Sequence, residues 1–175
     1  MQERMTPDQY RALHGLDPIA EPVKKKKKRS AKTWGTGPDG KPFLFDSRFE
    51  KEWADKLIVR KLAGEIDEWY TQVVWPLLEK GEVPGERGVI YTSDFVVVIK
   101  WPGNFKPKSP IFTSTYKPFL KLKDHGGEIE VHETKAEWLL KTRVDWPIRR
   151  KWFKKKYGLK LVEIILCKGG EVKIR

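Results

Sequence analysis

Apolar and polar positions alternate in a way that divides residues 33–175 into short elements separated by glycine and proline. Residues 89–99 carry the plainest strand pattern. Phe95 through Ile99 are all apolar, as in a strand covered on both faces. Glu128 to Ala136 alternates instead, with Ile129, Val131, Glu133 and Lys135 on one face and Glu130, His132, Thr134 and Ala136 on the other. The apolar face therefore ends in a carboxylate and an ammonium, and a local rule that breaks in this way is expected at a functional site. Residues 65–75 read as a looser strand ending at Pro76, and residues 159–166 as a further buried strand.

Asp46 or Ser47 caps a helix predicted to run to about Ala63, with Phe49, Trp53, Leu57 and Ile58 facing inward and Gly64 as its stop. Asp145 caps a second helix, with Pro147 in its first turn and Ile148, Trp152 and Tyr157 turned inward before Gly158. A Gly-Pro-Asp-Gly-Lys turn ending at Lys41 predicts a small hairpin between Trp34 and Phe43 to Phe45. Upstream, residues 6–13 suit a short helix. Residues 100–124, rich in proline and lysine, read as an inserted excursion with a short strand at 111–116. The order helix, three strands, helix, strand predicts a mixed α/β layer design.

Charge changes the picture. The 175 residues hold 36 Lys and Arg against 24 Asp and Glu, a net charge of +12, which favours an anionic partner such as nucleic acid. The run Lys24, Lys25, Lys26, Lys27, Lys28 and Arg29 reads structurally as a flexible linker and functionally as a phosphate-binding arm. Arg149, Arg150, Lys151, Lys154 and Lys155, with Arg143 just upstream, form a second basic concentration on the last helix. The bland reading of that helix is a solvated surface; the functional reading is a face that tracks phosphates. The single Cys167 excludes an intrachain disulfide, and the three histidines lack ligand spacing, so a metal would be held by carboxylates and would be a hard ion. The absence of an apolar run of membrane length and of a signal-type N-terminus leads to the expectation of an intracellular, cytoplasmic protein with no membrane partner.

Asp94 stands inside the most apolar strand and Glu133 at the end of an apolar face, both costly positions for an uncompensated carboxylate. With Glu50 on the first helix they can supply three oxygen ligands for magnesium or manganese, and Lys135 can orient a water and offset charge on a reacting phosphate. Each residue also has a structural reading. Glu50 completes a capping box with Ser47, leaving Glu52 as the fallback acid; Asp94 forms a salt bridge; Glu133 and Lys135 form an ion pair.

The ordered pieces Phe45-Asp46-Ser47-Arg48-Phe49-Glu50, Gly64-Glu65-Ile66, Tyr91-Thr92-Ser93-Asp94-Phe95 and Val131-His132-Glu133-Thr134-Lys135, followed by the basic helix before Tyr157-Gly158, resemble the PD-(D/E)XK nuclease superfamily. Within it they are most similar to archaeal-type Holliday junction resolvases and their phage-encoded relatives. The resemblance spans most of residues 45–166 and implies a restriction-endonuclease-like core, a central mixed β-sheet flanked by helices, within a domain read as 33–175; the basic arm at 1–32 and the insertion at about 100–124 lie outside the match. It implies Asp94, Glu133 and Glu50 as ligands of Mg2+ or Mn2+, Lys135 as the water-positioning lysine, a homodimer, and cleavage of four-way DNA junctions. Ser93 stands where the family pattern has proline. Two rival expectations are another nuclease of restriction or repair type and a DNA-binding protein without catalysis.

Overall fold

The structure, a computed structural model, describes residues 31–103, 115–142 and 144–175. The helix expected at residues 6–13, the basic run at 24–29, most of the strand expected at 111–116, and Arg143 lie outside the described residues.

The chain opens with a hairpin, β1 (Thr33–Thr36) and β2 (Pro42–Phe45), paired antiparallel around the glycine-rich turn. Helix α1 (Arg48–Leu62) follows, capped by Ser47, whose hydroxyl accepts the Glu50 amide. Strands β3 (Glu68–Leu78) and β4 (Val89–Lys100) come next, then helix α2 (Lys117–Asp124), strand β5 (Glu128–Ala136) and helices α3 (Glu137–Thr142) and α4 (Trp146–Tyr157). Strands β6 (Lys160–Leu166) and β7 (Val172–Ile174) complete the described chain. The main sheet has the order β3-β4-β5-β6-β7. Only β5 and β6 are parallel, and the crossover between them is the helical stretch α3–α4.

Helices cover both faces of this mixed sheet. On one, Trp53, Ala54 and Leu57 of α1 and Phe45 of the hairpin pack against Trp69, Phe95, Val97, Val162 and Ile164. On the other, α2 and α4 bring Phe119, Leu122, Trp146, Phe153 and Tyr157 against Tyr70, Trp75, Val96, Val98 and Val131. The second face is an aromatic bed: the Trp75 ring meets Phe153 at 5.1 Å and Tyr157 at 5.2 Å between centroids. These edge-on pairs strengthen a core whose area already favours burial.

Several expectations shift. Strand β3 runs past Pro76 to Leu78, because it is the sheet's edge strand: a proline lacking an N–H is tolerated there, and its carbonyl accepts the Tyr157 hydroxyl at 2.5 Å. The end of the stretch read as an excursion forms α2, whose buried Phe119 and Leu122 belong to the core. Helix α4 is rotated from the expected phase. Trp146, Phe153 and Tyr157 face inward, whereas Ile148 and Trp152 are 52% and 48% exposed. Trp146 sits in the first turn, so the stripe that continues from it is 150, 153 and 157, not 148 and 152. The left-handed Gly158 at φ 60° ends the helix where expected.

The loose alternation of residues 65–75 has a definite cause. Tyr70 lies on the aromatic face with Val73, Trp75 and Leu77, although regular alternation would put Tyr70 opposite them. Gln72 between them takes a left-handed φ of 55°. Across the ladder β4 slips in the same place: Tyr91 and Ser93 share the aromatic side with Val96 and Val98, so the alternation changes phase around Asp94. Because both strands slip, pairing resumes in the same register, with Thr71 opposite Phe95 and Val73 opposite Ser93. The Asp94 carbonyl accepts the Thr71 hydroxyl at 2.9 Å at the kink.

A left-handed glutamine is strained and glycine is not, so Gln72→Gly is expected to raise stability by about 0.5–1 kcal/mol. A β-branched Gln72→Val should lower it by about 1 kcal/mol or more. Urea unfolding midpoints of the two variants check this, and a Gln72→Val protein as stable as wild type would show that the kink is not fixed by backbone preference.

Candidate active site

Asp94 occupies a fork. The β4–β5 ladder runs from Lys100 opposite Glu128 to Phe95 opposite His132 and goes no further. At the fork the Asp94 carboxylate replaces the strand: the Thr134 backbone N–H and the Thr134 hydroxyl both donate to Asp94 Oδ2, at 2.7 and 2.6 Å. Asp94 therefore joins β4 to β5 by its side chain, with threonine as its partner in place of the basic residue its structural reading called for.

Glu133 lies on the aromatic face, as the alternation of β5 requires, and is 4% exposed. The Tyr91 hydroxyl donates to its Oε2 at 2.6 Å and the Lys135 ammonium donates to its Oε1. Lys135 also stands 5.2 Å from the centroid of the Trp146 ring, a cation–π contact at the start of α4. The ion pair named as the structural reading of Glu133 and Lys135 is thus present. It does not exclude a chemical role, because the pair sits beside a second carboxylate rather than on an open strand face.

Glu50 is 9% exposed and forms the capping box. Its amide donates to Ser47 Oγ at 3.1 Å, the Asp46 amide donates to Glu50 Oε2 at 3.2 Å, and the Ser47 hydroxyl donates to Oε1 at 3.1 Å. Burial, then the neighbouring Asp94 charge, pushes the Glu50 carboxyl up to about 7. Burial and Asp94 likewise push Glu133 up to about 7, against the opposing pull of Lys135. Asp94 is raised as well, by burial first, with Lys135 and Thr134 pulling the other way. Asp94 is thus the electrostatic hinge between the other two acids. Glu52, the fallback acid, pairs with Arg48 on the exposed side of α1.

Each carboxylate is committed to its own hydrogen-bond partners, and among the described residues no three His, Cys, Asp or Glu side chains are grouped closely enough to hold a metal ion. The chemistry of the three groups is nonetheless the kind a hard divalent cation takes: all are oxygen donors, and the charge of Asp94 raises the pKa of both Glu50 and Glu133.

Residues that sequence reasoning missed complete the surroundings. Glu163 lies opposite Glu133 in the parallel β5–β6 register and is buried. Its Oε1 accepts the Trp146 indole N–H at 2.6 Å, and its Oε2 accepts Arg150 at 2.8 Å with Arg175 at 3.5 Å. Its signal was visible, a carboxylate embedded in Leu161-Val162-Glu163-Ile164-Ile165, the same anomaly that singled out Asp94. His132 faces the opposite layer, as expected. Trp53 Nε1–H donates to its Nδ1 at 3.2 Å, so Nε2 carries the proton and donates to Glu130 Oε2 at 3.1 Å. Burial lowers the His132 pKa, and the histidine's hydrogen bond holds Glu130 at about 2. The Trp53–His132 bond ties α1, which carries Glu50, to β5, which carries Glu133.

Of the basic residues expected to bind DNA, Arg149, Lys151, Lys154 and Lys155 lie exposed on α4, while Arg150 is half-buried against Glu163. No described helix is long and apolar enough to cross a membrane. Fold and site together define a mixed α/β protein with a Glu133–Lys135 ion pair beside the Asp94 fork in its sheet. Comparison of the chain with protein-family models, with curated proteins and with solved structures finds no match.

An acid with a raised folded pKa binds more protons folded than unfolded between its ordinary value and the raised one. The Glu50 contribution is therefore favourable at low pH and is lost as pH rises from about 4.5 to about 7. Glu50→Gln keeps the capping geometry and removes the charge. In chelator it is expected to stabilise the protein relative to wild type by about 1 kcal/mol more at pH 8 than at pH 5. Paired urea titrations at the two pH values measure the difference, and a pH-independent difference would show that Glu50 ionises normally.

Proposed function

We propose that the chain is a divalent-metal-dependent DNA endonuclease of the PD-(D/E)XK type that hydrolyses phosphodiester bonds in branched DNA, with the four-way junction as its substrate. The observation that carries this reading is that the half-buried Asp94 on β4 lies near enough to the buried Glu50 of α1 and Glu133 of β5 for its charge to act on both, with the Lys135 ammonium on Glu133. The order of elements supports it: an acid-bearing helix, three antiparallel strands with α2 before the third, a helical crossover and a strand parallel to the third. The restriction-endonuclease-like arrangement is the finer reading of this α/β sheet.

Asp94 and Glu133, with Glu50 beside them, would hold magnesium or manganese, which when bound polarises the phosphoryl group and lowers the pKa of a coordinated water. The remaining residues have separate tasks. Thr134 fixes the Asp94 carboxylate by two hydrogen bonds, and Tyr91 fixes Glu133 by one. Lys135, placed by Glu133 and by the Trp146 ring, orients the attacking water and offsets negative charge that grows on the phosphoryl oxygens as the new P–O bond forms and the old one breaks. The α4 lysines and arginines supply contacts to the DNA backbone. A twofold homodimer would present two such sites to the paired strands of a junction.

The test is cleavage of a labelled four-way junction beside linear duplex of the same sequence, with magnesium and with chelator. Asp94→Asn and Lys135→Ala are each expected to lower magnesium-dependent cleavage at least about a hundredfold while junction binding in chelator persists. Equal cutting of both DNAs would keep the nuclease and remove the junction preference. Full activity in either variant would refute the site.

A further inference from the structure

Helix α4 shows an outward surface that the core does not use. Its twelve residues contain six Lys or Arg and no acidic side chain. Ile148, Lys151, Trp152 and Lys155 recur at helical spacing and form one exposed stripe. Beside it opens a cleft of about 580 Å3 whose lining includes Arg150, Lys151, Lys154, Lys160 and Arg175. Three of these cations already have acidic partners: Arg150 and Arg175 at Glu163, and Lys160 at Glu130. Lys151 and Lys154 make no ion pair with a described residue. Lys151 belongs both to the cleft and to the Trp152 stripe, so the cationic pocket and the exposed indole adjoin.

We infer that this surface binds an unpaired nucleic-acid strand, with a backbone phosphate in the cationic cleft and a base stacked on Trp152. A half-exposed indole offers every base a π-face, and a positively charged groove beside it follows the backbone; this pairing of features is how single strands are held without regard to sequence. Regular duplex keeps its bases stacked and offers the indole nothing. A second copy of the chain fits the surface poorly, because a twofold contact through α4 would set Lys151, Lys154 and Lys155, exposed on this helix, against their own copies. A lipid surface fits less well than a strand, because α4 is seated in the core by Trp146, Phe153 and Tyr157 and only Ile148 and Trp152 remain on this stripe to enter a bilayer. The inference rests on DNA being the partner, as proposed above, and not on catalysis.

The experiment measures binding of the full chain in chelator to a labelled single-stranded oligonucleotide and to a blunt duplex of matched sequence, across a salt series. Trp152→Ala is expected to weaken single-strand binding about tenfold, to leave duplex binding within about twofold, and to leave the salt slope unchanged; Trp152→Phe should restore most of the loss. Lys151→Gln with Lys154→Gln should weaken both substrates and reduce the single-strand salt slope by about 0.7 per lysine. Equal loss on both DNAs or no loss in Trp152→Ala overturns the inference. So does a Trp152→Ala effect confined to self-association in sedimentation or to binding of phosphatidylserine vesicles. Magnesium-dependent cleavage by the same wild-type preparation reports separately on the nuclease reading, so the two can fail independently.

Discussion

Asp94 is where two ladders give way together. A strand in the middle of a sheet normally spends its backbone groups on its neighbours and its side chains on two faces, which leaves no place for a carboxylate to work. Here the matched slip of β3 and β4 at Gln72 and Asp94 changes which side chains face the aromatic layer without changing the pairing register. The ladder to β5 ends one residue away, and the amide freed on Thr134 is taken by the Asp94 carboxylate. Everything else at the site is referred to this point: Glu50 approaches it from one layer, and Glu133 with Lys135 from the strand on its other side.

Two neighbouring carboxylates show how far environment sets their fate. Glu133 and Glu163 are side by side on β5 and β6, both buried on the aromatic face. Glu163 is closed by an indole N–H and two guanidinium groups, a charge-satisfied arrangement that suits a structural role. Glu133 receives one phenol and one ammonium, faces the charge of Asp94, and is pushed up to about 7. A carboxylate poised in that way responds to a proton or a cation arriving beside it.

Much of this was legible in the sequence because it follows from period and from cost. The α1 cap, the bounds of β5 and the anomaly of Asp94 and Glu133 all follow from which side chains tolerate burial and at what spacing. The kink at Gln72 was not legible, since glutamine gives no sign that it will take a left-handed conformation, and its only trace was the blurred alternation of β3. The phase of α4 was misread for a related reason. Tryptophan is as apolar at 152 as at 146, and the Trp146 indole N–H on Glu163, together with Phe153 and Tyr157 in the aromatic bed, fixes which one turns inward. Helix α2 was hidden because its start, Lys117-Pro118, looks like more of the proline- and lysine-rich stretch before it.

Helix α4 joins the two halves of the molecule's chemistry. Its first residue sets a ring over Lys135 and an N–H on Glu163, one turn later Arg150 closes Glu163 from the other side, and Phe153 and Tyr157 lock the remaining turns into the aromatic bed. With that inner stripe fixed, the helical period leaves Ile148, Lys151, Trp152 and Lys155 no choice but the outside. The distance between the acid cluster and the basic ridge is therefore not set by a flexible connection. It is set by the rotation of one helix whose first inner residue, Trp146, lies against Lys135, so a change that turned α4 would move the cations and loosen the lysine at the same time.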